Sequence, residues 1–283
     1  LMIETQKSNR WNPRNPLSEK SSTRTRAPLR AIQKLGSWVK VFILAGLAIS
    51  QPTLADGTHK NPLDIIDQME QLYRGSSSDS KITMVIETPR YQRSMQMSGQ
   101  SMGREFGFFR ILSPKKDRGI ATLKRDEEMW NYFPKINKVI KVPPSMMMGS
   151  WMGSDFTNDD LVKETQLIDA YDIQMTETDD QYRFTLTPKE QTVTVWGSID
   201  YVVSKSPLLP LSQSFFDDQG EKIRVMTFSA PKEIGGRLMP SILEIEPLNK
   251  PGHRTRVIYD EIVFDPPGIT EQTFSMRNLK SRF

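Results

Sequence analysis

The sequence predicts a mainly β protein: a single, strongly curved antiparallel sheet with an N-terminal helix and a lid of loop and helix over an apolar cavity. Three observations predict this class. The globular part begins with a stretch whose apolar residues recur at the helical spacing. Apolar and polar residues then alternate, as in strands, over most of the remaining length, and an internal loop is rich in apolar residues. Ten or eleven short strands in one sheet cannot stay flat, because strand twist makes so large a sheet curl or close.

The first 55 of the 283 residues differ from the rest in charge. They contain nine Lys or Arg and two Glu, whereas the remaining residues have a net charge of −3. Residues 1–29 are polar and basic, and their apolar residues follow neither helical nor strand spacing, which predicts a disordered extension. The basic excess therefore lies in a segment that we expect the mature protein to lack, so it does not indicate nucleic-acid binding.

Residues 30–55 have the pattern of a secretory signal peptide. Lys34 and Lys40 precede an apolar run at 41–49, and small residues end the segment at Ala55, where we expect cleavage. The apolar run is well short of the roughly 20 residues of a transmembrane helix. The alternative is an uncleaved amphipathic or buried helix. Cleavage would leave a periplasmic domain of residues 56–283.

The domain is predicted to begin with a helix. Asn61 can cap its start, Pro62 suits the first helical position, and Gly75 can end it in a left-handed conformation. One face is apolar and carries Ile65, Ile66, Met69, Leu72 and Tyr73.

Alternating apolar residues predict the strands that follow. The clearest alternation covers two runs, Tyr182, Phe184 and Leu186 and then Val193, Val195, Ile199, Tyr201 and Val203. Turn-forming residues such as Asp126-Glu127 and Gly235-Gly236 separate the runs, which favours antiparallel neighbours. A short helix is predicted at 157–163 and a helical turn at 270–273.

Residues 143–161 form a loop of unusual composition. Met146, Met147, Met148, Trp151, Met152 and Phe156 lie close together there, and two glycines among them disfavour a regular helix or strand. Two interpretations remain open. The side chains can cap one end of the sheet and fill gaps in its core, or they can line a deformable apolar cavity, since methionine repacks at low cost around varied ligands.

The composition limits the available chemistry. The chain has no Cys and only His59 and His253, which argues against thiolate chemistry, an anchor on Cys and a multi-histidine metal centre. The paired aspartates, such as Asp159-Asp160, lie at turns or at a helix start, where backbone capping accounts for them. We therefore expect no enzyme activity and no cofactor.

Four stretches of the mature chain resemble the outer-membrane lipoprotein-sorting proteins related to LolA: GREFGFFRILSPKKDRGIA (103–121), MWNYFPKINKVIKVP (129–143), GSWMGSDFTNDDL (149–161) and TFSMRNLK (273–280). The resemblance implies a half-open β-barrel with helices over an apolar cavity. It also implies a soluble periplasmic carrier that takes lipoprotein acyl chains, or another lipid, from the inner toward the outer membrane. An inner-membrane exporter and an outer-membrane acceptor would be its partners, with only transient membrane contact and a monomeric state.

Apolar contacts to the lipid are expected from eight residues, Trp130, Tyr132, Met146, Met147, Met148, Trp151, Met152 and Phe156. Lys135, Lys138 and Lys141 form either a patch for anionic lipid or an acidic partner, or an ordinary solvated face. The alternative function is a non-catalytic periplasmic scaffold or sensor that uses the same half-barrel to bind a membrane protein.

Overall fold

The structure, a computed structural model, describes residues 60–163 and 167–281. The predicted extension (1–29) and signal peptide (30–55) lie outside the described residues. Within the two described ranges, no helix is both long enough and apolar enough to cross a membrane.

The described part of the chain contains four α-helices and thirteen strands, besides three short 3-10 helices at Pro134–Ile136, Pro144–Met146 and Glu271–Phe274. The helices are α1 (Pro62–Gln71), α2 (Asn158–Lys163), α3 (Leu167–Ala170) and α4 (Met276–Leu279). The first six strands are β1 (Ser77–Glu87), β2 (Gln92–Met102), β3 (Phe106–Ser113), β4 (Ala121–Arg125), β5 (Glu128–Phe133) and β6 (Lys138–Lys141). The other seven are β7 (Tyr171–Glu177), β8 (Gln181–Pro188), β9 (Ser198–Lys205), β10 (Leu208–Phe216), β11 (Lys222–Ile234), β12 (Arg237–Pro247) and β13 (Arg254–Phe264).

All thirteen strands belong to one antiparallel sheet. Its order is β6-β5-β4-β3-β2-β1-β13-β12-β11-β10-β9-β8-β7, so that two meanders are joined where the first and last strands pair. The two strands at the ends of this order, β6 and β7, leave the sheet unclosed. The predicted number of ten or eleven strands is too low, because strands as short as the four-residue β6 carry too little alternation to be counted separately.

The first helix is confirmed, although it ends at Gln71, before Leu72 and Tyr73 of the predicted apolar face. Asn61 Oδ1 accepts a hydrogen bond from the backbone N–H of Leu63, at 3.1 Å, and Pro62 is the first helical residue. Ile65, Ile66 and Met69 are buried on its apolar face. The chain turns away from the helix at Gly75, whose φ of +60° lies in the left-handed region.

One stretch predicted as strand is not one. Val193 and Val195 lie between β8 and β9, and Val193 is largely exposed. Gly197 ends this connection where the backbone passes close to the next hairpin: a Cβ atom there would lie 2.3 Å from the carbonyl oxygen of Asp217. The close approach needs glycine, and β9 begins only after it, so the prediction of a continuous alternating run was wrong.

The sheet is strongly curved. Side chains of β4 and β9 line the same cavity, although these strands are eight places apart in the sheet order. At about 4.8 Å between neighbours, a flat sheet would separate them by about 38 Å. The main core lies on the inner face of this curve and joins residues of α1, β1–β3 and β8–β13.

A second, smaller core lies on the outer face of β3–β5. Phe274 and Leu279 of the C-terminal segment cover Phe108, Leu123 and Tyr132 there. Arg110 is buried in this layer and donates to the carbonyl oxygens of Asn278 and Ser281, at 2.7 and 2.9 Å. Arg110 and this core therefore fix the C-terminal segment to the sheet.

Candidate functional site

Residues 143–161 are called the Met-rich loop below. The aromatic residues of this loop are part of the main core. Trp151 is 4% exposed, packs edge-on against Phe109 with ring centroids 5.3 Å apart, and donates from Nε1 to Thr122 Oγ1 at 3.0 Å. Phe156 is also buried in this core. Because Thr122 and Phe109 point to the inner face of the sheet, the loop covers that face.

Hydrogen bonds within the loop hold it in this position. The N–H of Trp151 donates to the carbonyl oxygen of Phe156 at 2.7 Å, and the side-chain amide of Asn158 donates to the carbonyl oxygens of Met146 and Gly149, each at 3.1 Å. The loop is irregular, as predicted, but it is closely bonded to itself.

The methionines of the loop have three different environments. Met146 and Met148 are exposed. Met147 packs against a small cluster formed by Met129, Val142 and Val162. Met152 packs at the edge of the main core and has a φ of +51°, in the left-handed region.

Trp130 and Tyr132 lie on the outer face of the sheet. Both belong to the second core, under the C-terminal segment, and the Tyr132 hydroxyl lies 3.2 Å from Asn137 Oδ1. Of the eight residues predicted to contact lipid, only Phe156 lines either of the two cavities described below. Lipid binding by these eight residues stays a prediction.

The larger cavity lies between the helices and the inner face of the sheet and has a volume of about 130 Å³. Its apolar wall comes from α1, β1, β3 and β11 and includes Met69, Ile82, Phe109, Met226 and Phe228. Its polar wall includes Glu70, Gln100, Arg104 and Lys124. A ligand there would meet mostly carbon on one side and charged groups on the other.

Glu70 connects the polar wall to the short helices. Its Oε1 accepts from the backbone N–H of Leu167 at 2.9 Å, and its Oε2 lies 3.1 Å from Arg104 Nη2. Arg104 also pairs with Asp67 and Asp169, at 2.7 and 3.2 Å. Burial raises the pKa of the Glu70 carboxyl above its ordinary value, although the charge of Arg104 and the bond from Leu167 oppose that effect. The cluster ties α1 to α3.

The smaller cavity, of about 70 Å³, lies under α2 and α3. Its polar lining includes Asp160, which accepts two hydrogen bonds from Arg224. The guanidinium of Arg224 stands between the rings of Trp196 and Phe215, 4.5 and 4.1 Å from their centroids. Burial acts to raise the pKa of Asp160, but the charge and hydrogen bonds of Arg224, together with the hydrogen bonds of Thr157, lower it on balance.

The two cavities adjoin. Leu161 of α2, Leu167 of α3, Gln213 of β10 and Met226 of β11 line both of them. These four residues therefore form the wall between the cavities, and three of the four are apolar.

The described residues offer little for metal or acid–base chemistry. They contain no group of three His, Asp or Glu side chains close enough to hold a metal ion. His253 lies in the turn between β12 and β13, with Nδ1 3.8 Å from Asp155 Oδ1. Asp160 and Thr157 cap the start of α2 reciprocally, as the capping interpretation of the aspartate pairs predicts.

Comparisons with known proteins place the chain in a family. Residues 103–281 match a family model whose description is "uncharacterized protein". Because the match covers more than half of the chain, the chain belongs to this family. A search of curated proteins gave no match.

Solved structures share the fold of the chain. A DUF1329 family protein from Desulfovibrio piger has a TM-score of 0.67 and 23% identity over 76% of this chain and 96% of its own. A putative outer membrane lipoprotein-sorting protein domain from Vibrio parahaemolyticus has a TM-score of 0.64 and 17% identity, over 76% of this chain and 97% of its own. A LolA superfamily protein from Nitrosomonas europaea has a TM-score of 0.63 and 16% identity, over 77% of this chain and 98% of its own. The predicted resemblance to the LolA-like fold is confirmed.

Sequence reasoning missed the residues that separate the cavities. Leu161 and Leu167 are apolar residues in short helices with a weak helical signal, and Met226 is one of many alternating residues in β11. Their composition is that of ordinary core positions. The available signal was the capped start of α2, which predicts that a short helix follows the Met-rich loop but not which face of the sheet the helix covers.

Proposed function

We propose that the chain binds the acyl chain of a lipid, or of a lipoprotein, in the two adjoining cavities and carries it through the periplasm from the inner toward the outer membrane. The observation that carries this proposal is the shared apolar wall of Leu161, Leu167 and Met226. Once this wall opens, an unbranched ligand has an apolar path from one cavity to the other along the inner face of the sheet.

The size of the hydrophobic effect makes such a carrier necessary. At about 0.8 kcal/mol per CH₂, a chain of about 16 carbons costs on the order of 12 kcal/mol to expose to water. Spontaneous passage through an aqueous space would be correspondingly rare. A protein that shields the chain removes this barrier, whereas its release requires that the shielding be reversible.

Opening of the wall is part of the proposal. Ligand pockets commonly have volumes of about 300–1,000 Å³, and the larger cavity has about 130 Å³. A long acyl chain therefore requires α2 and α3 to move away from the sheet. These helices have six and four residues. The ion pair of Asp160 with Arg224 holds α2, whereas the pair of Asp169 with Arg104 and the hydrogen bond from the Leu167 N–H to Glu70 hold α3.

Lipid binding is tested first on the protein isolated from a bacterial periplasm. Native mass spectrometry should show a copurifying lipid mass that organic extraction removes. Protein that is consistently free of lipid, and that fails to bind a fluorescent fatty acid, would contradict the proposed carrier function.

A matched pair of variants locates the ligand. Leu161→Trp fills the wall between the cavities and should weaken binding of a fluorescent C16 fatty acid by about tenfold, since it removes the path for the chain. Leu208→Trp makes the same change at a half-buried leucine that lines neither cavity, and it should bind like the unmodified protein. Equal affinities in the two variants would exclude this channel as the site.

A further inference from the structure

One part of the surface is unusually apolar. The edge segment, defined here as residues 134–150, contains the edge strand β6 and the start of the Met-rich loop. Among the described residues, eleven large apolar side chains are exposed, and four of them lie in this segment: Ile136 at 60%, Ile140 at 48%, Met146 at 63% and Met148 at 40%. Scattered exposed apolar residues are ordinary, but a cluster of this kind marks an interaction surface.

The edge segment is also positively charged. Lys135, Lys138 and Lys141 are all exposed, and Asp and Glu are absent from the sequence from residue 129 to residue 154. Lys141 pairs with Glu128, just before that stretch. Lysines and exposed apolar side chains thus occupy the same short segment, and its own sequence supplies no negative charge.

This combination fits the surface of an anionic bilayer. Apolar side chains enter the boundary between headgroups and acyl chains, while lysines remain among the anionic headgroups and keep their long stems along the apolar surface. Each lysine near such a surface contributes attraction that decays within a Debye length. The cations here are all lysines, which act as flexible point charges and do not require the fixed geometry of a protein carboxylate.

We propose that the edge segment docks on an anionic phospholipid bilayer, with Ile136, Ile140, Met146 and Met148 inserted and Lys135 and Lys138 among the headgroups. The proposal does not depend on lipid binding in the cavities. The edge segment nevertheless lies close to α2, because Met147, between the two exposed methionines, packs in the cluster that contains Val162 of α2.

A site-specific probe tests the docking directly. The chain has no cysteine, so that Met146→Cys in the full chain provides a single attachment point for the environment-sensitive dye NBD. With vesicles of phosphatidylglycerol and phosphatidylcholine, its emission should rise severalfold and shift to the blue, and a spin label on the acyl chains should quench it. Pure phosphatidylcholine vesicles should produce little change.

A matched position controls for binding through any other part of the chain. Leu238→Cys places the dye on another exposed apolar residue, at the start of β12, where it should remain in water even on a vesicle-bound protein. Lys135→Glu with Lys138→Glu should weaken the response at residue 146 by about tenfold or more, whereas Lys232→Glu, at an exposed lysine of β11, should not.

Several outcomes would overturn the docking proposal. Equal responses at residues 146 and 238, or equal responses to anionic and neutral vesicles, would show that the edge segment is not the contact. A lack of response to either vesicle would exclude a bilayer and favour an acidic protein partner. An emission change that follows protein concentration without vesicles would identify a second copy of the chain as the occupant instead.

Discussion

Arg224 and Asp160 form a buried ion pair that joins α2 to strand β11. Nη1 and Nη2 of the arginine lie 2.8 and 2.5 Å from the two carboxylate oxygens, and the guanidinium is enclosed by Trp196 and Phe215. The same carboxylate accepts from the backbone N–H of Thr157 at 2.7 Å and so caps the helix that it anchors. Helix α2 is thus held against the sheet by charge as well as by apolar contact.

Asp160→Asn should destabilise the domain by about 3 kcal/mol, because it leaves the buried charge of Arg224 without its partner. The free energy of unfolding from urea denaturation measures this loss. Asp169→Asn removes a more exposed partner of an arginine and should cost less than about 0.5 kcal/mol. A loss of similar size in both variants would show that the ion pair does not anchor α2.

The pH dependence of that loss follows from the lowered pKa of Asp160. A carboxyl whose pKa is lower in the folded state contributes stability above its ordinary pKa, near 3.9, and loses that contribution as the pH falls through the folded value. The difference in unfolding free energy between the unmodified protein and Asp160→Asn should therefore be constant near neutral pH and shrink in acid. A difference that grows as the pH falls would contradict the assignment.

Glu70 should change the pH dependence of the free energy of unfolding in the opposite direction. Its pKa is raised by burial, so that the folded state binds the proton more tightly than the unfolded state does. Stability should then fall as the pH rises from about 4.3, the ordinary value for glutamate, to the raised value. Glu70→Gln retains an acceptor for the N–H of Leu167 and should remove this decline. A variant with the same decline in this interval would exclude Glu70 as its source.

Trp151→Ala should cost about 3–5 kcal/mol, since it empties a large buried site and removes the bond to Thr122. Met146→Ala, in the same loop but on the surface, should change stability by less than about 0.5 kcal/mol. Thermal or urea unfolding of both variants measures the contrast. A small effect of both changes would mean that the loop does not fill the core.

Arg110→Gln should loosen the C-terminal segment while the sheet stays folded. The change removes charged hydrogen bonds to the carbonyl oxygens of Asn278 and Ser281, which together contribute on the order of 2 kcal/mol. Amide hydrogen exchange of residues 270–281 should accelerate by at least tenfold, with little change in β8 or β9. Arg277→Gln, at an exposed arginine of the same segment, is the control and should leave the exchange unchanged.

The Met-rich loop shows where inference from sequence ended. Its composition indicated correctly that the loop is irregular, yet it left open whether the side chains fill the core or line a cavity. Both roles use the same unbranched and aromatic residues. The position of Trp151 is decided by a hydrogen bond to Thr122 and a ring contact with Phe109, which are 29 and 42 residues away in the chain.

Trp130 and Tyr132 show the same limit for a strand. Because side chains alternate along a strand, the two residues are predicted to share one face of β5, and they do. The alternation does not determine which face lies on the inside of the curved sheet. The C-terminal segment decides that point, since Phe274 and Leu279 cover their face from outside.

The sequence by itself determined the elements: a helix capped at Asn61, a long series of alternating strands, the capped start of α2 and the LolA-like character of the fold. These follow from local periods, caps and turns, which act between residues close in the chain. Only the tertiary structure decided where empty space remains. Leu161, Leu167 and Met226 meet around it because a thirteen-stranded sheet curves, and curvature is a property of the whole sheet that no short stretch of sequence encodes.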